Sequence, residues 1–213
     1  RIDGSLTLSQ LAVLEGLRGL DSLAQLDGDL SLADCPVLAS FDGLATLEEL
    51  GGSLVVEGEG GALAFQGLDR LESVGGSLYI DGHPGVVDFT GLEALNRIGA
   101  HLRVDEGLSL QALHGLENLE SLGGDLSLSE CPRLESLVGL ESLVHIGGDV
   151  YLWDNGGLVD LSGLGSLASV GGDLGAYYND SLVGVVGLES LATVGGDLEL
   201  RYSASLAGLE GLA

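Results

Sequence analysis

Apolar residues recur along this chain at a fixed interval of 24 residues, without insertion or deletion. The anchor column is Leu6, Leu30, Leu54, Leu78, Leu102, Leu126, Val150, Leu174 and Leu198. The repeat that begins at Gly139 reads GLESLVHIGGDVYLWDNGGLVDLS, and its apolar members are Leu140, Leu143, Ile146, Val150, Leu152, Leu158 and Leu161. Other repeats place similar residues in the same slots, as in the column Leu20, Leu44, Leu68, Leu92, Leu116, Leu140, Leu164, Leu188 and Leu212. A constant period in this range predicts a solenoid, each repeat stacking only on its neighbours. The 213 residues make about nine coils and are read as one repeat domain, 1–213.

Within a coil, Val150 and Leu152 are two apart, which predicts a short strand with both inside and Tyr151 outside. Leu158 and Leu161 fit a second extended segment or a turn. The spacing of three in Leu140, Leu143 and Ile146 allows one helical or 3₁₀ turn, or an extended corner. A long helix is excluded because glycine brackets each such trio. Gly147 and Gly148, repeated at Gly51 and Gly52, Gly75 and Gly76, Gly123 and Gly124, Gly171 and Gly172, and Gly195 and Gly196, predict a bend with positive φ. Stacked coils would pair as a parallel ladder with rungs about 4.8 Å apart, giving a rod of roughly 40 Å.

The run Leu-x-x-Leu-x-x-Ile-x-Gly-x-Leu-x-Leu, followed by a loop and another leucine pair, resembles the receptor L domain, a relative of the leucine-rich repeat. The resemblance covers the whole chain. It implies a right-handed, parallel β-helix-like solenoid with little helix, and a role in binding rather than catalysis. Related repeats occur in insulin and epidermal-growth-factor receptors, fungal cell-wall proteins and bacterial surface proteins. This chain has more uniform repeats than the receptor domains and lacks their disulfide-rich ends, which points to a bacterial surface or secreted protein.

Composition narrows the partners. The chain carries 33 acidic residues against seven basic ones, a formal net charge of −26. All seven basic residues are arginines, and there is no lysine or methionine. That usage, with abundant glycine and alanine, hints at a GC-rich bacterial genome. Seven scattered arginines supply no basic stripe for nucleic acid, and the charge disfavours anionic membranes. No apolar stretch approaches a membrane span. Arg1 falls in mid-repeat, which suggests a piece of a longer chain.

Cys35 and Cys131 occupy one slot four repeats apart, about 19 Å along the stack, too far for a disulfide. Asn155 and Asn179 share that slot. As in leucine-rich repeats, such a residue is expected to point inward and satisfy backbone groups; a reactive thiol is the alternative. Asp29, Asp125, Asp149, Asp173 and Asp197 form a column before the strand. It is expected to bond to corner amides, with calcium as the one cation the column would suit. A second acidic column, Asp69, Glu93, Glu117 and Glu141, reads as a solvated edge. His83, His101, His114 and His145 fall in four different slots, so no histidine metal site is expected.

Aromatic residues carry the functional expectation. Tyr151, Trp153, Tyr177, Tyr178 and Tyr202, with Arg201 and Asp154 beside them, fall on one outward zone of the C-terminal coils, and Tyr79 joins that zone farther back. Such a patch suits a protein or glycan ligand; the alternative is cross-rung stacking that stabilises the sheet. Glu57, Asp81, Arg103 and Asp105 lie on the same face and raise the lesser reading of a polysaccharide-cleaving site. The expected function is a non-catalytic binding or adhesion module, without cofactor, extracellular or on the cell surface. A structural spacer or end-to-end stacking unit is the second expectation.

Overall fold

Each 24-residue coil must bury its leucines against the next coil, because one coil alone has no second layer. The computed structural model describes residues 1–58 and 60–212. It is a parallel β-solenoid. Nine four-residue strands, from Leu6–Ser9 to Leu198–Arg201, form one sheet, and eight two-residue strands, from Gln25–Leu26 to Thr193–Val194, form another. All pairings are parallel and join residues one period apart, as in Leu126 with Val150 and Trp153 with Tyr177. Among the described residues there is no α-helix, and no helix is long and apolar enough to cross a membrane.

The strand alternation follows the sequence. Val150 and Leu152 are buried, and Tyr151 between them is exposed. Leu140, Leu143 and Ile146 are buried too, but the spacing of three comes from consecutive turns: Leu140 N–H donates to Leu137 O and Leu143 N–H to Leu140 O, at 3.3 and 3.0 Å. Ile146 then enters a two-residue strand. Leu158 closes one turn and Leu161 opens the next, with Leu158 N–H donating to Asn155 O and Leu164 N–H to Leu161 O, and the segment between them is not a strand. Inside the N-terminal half, Phe41, Phe65 and Phe89 stack with centroids 5.6 and 5.4 Å apart. This aromatic spine was not singled out by the leucine pattern.

The paired glycines have a different cause from the one expected. None of them has positive φ. They are needed because consecutive corners touch: a Cβ on Gly147 would lie 2.3 Å from Gly123 O, and one on Gly171 would lie 2.1 Å from Gly147 O. Positive φ falls instead on the glycine before the Leu140 column, as at Gly139 (φ 112°), and on the residue just after each long strand.

Two internal ladders tie the coils together. At the slot before the long strand, each side chain accepts the backbone N–H of the same slot one coil on. Asp125, Asp149 and Asp173 do so through Oδ1, to the N–H groups of Asp149, Asp173 and Asp197, at 2.7–2.8 Å. His101 does so through Nδ1, to Asp125 N–H at 3.0 Å. The aspartate column therefore serves the backbone, and among the described residues no three His, Cys, Asp or Glu side chains converge as metal ligands. At the slot after the strand, Asn155 and Asn179 are buried. Their Nδ2 groups donate to Leu128 O and Leu152 O, and their Oδ1 atoms accept from the N–H groups of Cys131 and Asn155. Cys35 and Cys131 are free and buried in this slot, and burial pushes the Cys131 thiol up to about 12. His83 lies in the slot too, and burial lowers its pKa.

Candidate ligand-binding face

The outer surface of the nine-stranded sheet carries two outward columns and one corner column. The first runs Val55, Tyr79, Arg103, Ser127, Tyr151, Gly175 and Glu199. The second runs Glu57, Asp81, Asp105, Ser129, Trp153, Tyr177 and Arg201. The corner column holds Asp154, Tyr178 and Tyr202, whose φ angles are 54°, 57° and 57°. Left-handed backbone is unfavourable for bulky side chains, so the fold holds two tyrosines where glycine would cost least.

All six residues expected from the sequence fall on this face, and of the equal slots Tyr178 meets Tyr202 while Trp153 does not meet Tyr177. Trp153 and Tyr177 are paired through the backbone, yet the Trp153 ring meets Tyr178 edge-on at 6.3 Å. Tyr178 then stacks on Tyr202 at 4.7 Å with 13° between the planes. Tyr177 turns back over Gly175, where a Cβ would lie 2.5 Å from its ring, and packs against Tyr151 at 5.6 Å. The patch is therefore a ladder of three rings beside a pair. Tyr151, Tyr178 and Tyr202 are 40, 47 and 64% exposed, so the rings stack on one another and keep part of their surface open to solvent.

The charges beside the rings are fixed. Tyr177 Oη donates to Glu199, which also accepts from Arg201. The bond to Glu199 raises the Tyr177 pKa to about 12, since the neutral phenol is the donor. Arg201 thus presents an anchored guanidinium at the edge of the ring pair.

One feature was missed by sequence reasoning. A hollow of about 620 Å³ opens farther back on the same face, between Tyr79 and Arg103 on one side and Tyr151 on the other, with Ser127 as its floor and His101, Asp125 and Asp149 along its rim. The Arg103 guanidinium lies 5.5 Å from the Tyr79 ring centre, and its Nε donates to Asp105 at 2.5 Å. The signal was one small residue, Ser127, between large neighbours 24 residues away on either side. Asp105 is engaged by Arg103, and Glu57, Asp81 and Asp105 sit on consecutive rungs rather than around the hollow. A second hollow, on the loop side, is lined by Val87, Gln111, Pro132, Arg133 and Val159 and has no Tyr, Trp or Phe.

Comparison with protein-family models, with curated proteins and with solved structures finds no match.

Proposed function

We propose that this solenoid is a non-catalytic binding module that recognises a protein or a glycan through the aromatic face of its C-terminal coils. The observation that carries this reading is the exposed ladder Trp153, Tyr178 and Tyr202, two of whose rings are presented from left-handed backbone. Exposed aromatic groups on a rigid scaffold are characteristic of contact surfaces. The rigid stack supplies pre-organisation, so little conformational entropy is lost on binding. The sequence resemblance to receptor L domains favours the same role, and with it a bacterial protein acting at the cell surface or outside the cell.

The test is capture on glycan and protein arrays. Changing Trp153 and Tyr178 to alanine removes the ladder without touching a buried column. Capture should fall at least about tenfold, the usual effect of losing a central aromatic anchor, while the circular dichroism spectrum stays unchanged. Undiminished capture by the folded variant would reject the aromatic face as the contact surface.

A further inference from the structure

We propose that the hollow over Ser127 binds an arginine side chain presented by a basic segment of a partner protein. This rests on the recognition reading and narrows its partner class.

Spacing comes first. Arg103, Ser127 and Tyr151 occupy one outward column on consecutive rungs. Rungs about 4.8 Å apart place the outer two about 10 Å from each other. Only a serine hydroxymethyl lies between them. Arg103 packs over Tyr79, so a flat group entering above Ser127 meets the Tyr151 ring. That gap admits a single planar group in van der Waals contact.

Charge decides which planar group. Arg103 is matched by Asp105. Asp125 and Asp149 on the rim each commit only Oδ1 to a backbone N–H. Oδ2 of Asp125 lies 3.0 Å from His101 Nδ1, while Oδ2 of Asp149 has no partner among the described residues. A phosphate or uronate would face these carboxylates and be repelled. A guanidinium would stack on Tyr151 and donate to the free oxygen. The protein already contains this arrangement, since Arg103 lies against the Tyr79 ring and is held by Asp105. The net charge of −26 draws a basic partner toward the face from a distance.

The experiment measures binding of a fluorescent Gly-Ser-Arg-Arg-Ser-Gly peptide by anisotropy at moderate salt, with a glutamine-for-arginine peptide and a neutral oligosaccharide as controls. Ser127→Tyr fills the hollow and leaves the charge unchanged. Asp149→Asn keeps the Oδ1 rung and removes the charge. Each should weaken the arginine peptide about tenfold, the scale of a partly desolvated cation–π or charged contact, and the glutamine peptide should bind at least that much more weakly to the unaltered protein. Both variants should keep the native melting profile; if Ser127→Tyr does not fold, Asp149→Asn decides. Absence of arginine-peptide binding overturns the proposal. So does equal binding by the variants, which would mean diffuse charge attraction, or oligosaccharide binding that Ser127→Tyr abolishes, which would make the hollow a sugar site. The Trp153→Ala/Tyr178→Ala variant should keep the short peptide, so failure at the hollow is distinguishable from failure of the aromatic ladder.

Discussion

Asn155 ties its coil to both neighbours, to one through its side chain and to the other through its backbone N–H. Its Nδ2 donates to Leu128 O, its Oδ1 accepts from Cys131 N–H, and its own N–H donates to Asn179 Oδ1. A buried peptide group left without its partner costs about 1–3 kcal/mol. Asn155→Ala orphans two such groups, and unfolding in urea should show a loss of about 3 kcal/mol. Ser203 tests the same logic in reverse. It occupies the next slot after Asn179, and its buried hydroxyl has no partner. Asparagine there would reach Ala176 O and Asn179 N–H, so Ser203→Asn should raise the urea midpoint. A lowered midpoint would show that this end of the ladder has no room for the amide. The inward role of the slot was legible because Cys35, Cys131, Asn155 and Asn179 share it. That His83 shares it buried was not, since a histidine looks the same in sequence whether it faces water or core.

At the scale of an element, the period of two fixed the long strand and its faces, because alternation maps directly onto in and out. Gly147 and Gly148 were located but misread. Position along the chain records that a side chain is missing; it does not say whether φ or a neighbouring coil forbids it, and here the neighbour does. The same limit applied to the rings. Backbone register paired Trp153 with Tyr177, but the missing side chain at Gly175 let Tyr177 fold back toward Tyr151. The second acidic column also proved to be more than a wet edge. Each of Asp69, Glu93, Glu117, Glu141 and Glu189 accepts the N–H of the positive-φ glycine two residues earlier. At Glu189, hydrogen bonds from Gly187 N–H and its own N–H hold the carboxyl below the ordinary glutamate value. Because the folded value is the lower one, this contribution is complete above the ordinary glutamate pKa and is lost as pH falls through the depressed value. Glu189→Gln should therefore narrow its stability deficit as pH falls through that range. A deficit that does not change with pH would show that the carboxylate charge plays no part in holding the turn.

The whole molecule is a one-dimensional stack, so its stability is close to a sum of coils and the interfaces between them. The charge acts at this scale too. A surface of one sign resists nonspecific association and favours encounter with basic partners, and it leaves few internal cations to compete at the hollow. A stack of interchangeable coils should tolerate removal of one complete unit. Deleting Gly91–His114 joins Thr90 to Gly115, preserves every column and leaves Trp153, Tyr178 and Tyr202 in contact. Phe65 and Phe89 remain adjacent, and the strand at Leu78–Asp81 comes to pair with Leu126–Ser129. That variant should melt cooperatively, with stability reduced by about a ninth, the share of one coil among nine, and it should keep ligand capture by the aromatic ladder. Removing only Gly91–Leu102 takes out half a coil, sets a strand against a turn and drives charged positions into the leucine columns. It should leave the chain without a cooperative transition. If the two deletions behave alike, whether both fold or both collapse, then register between coils is not what holds the solenoid together, and the reading of its face by columns would fall with it.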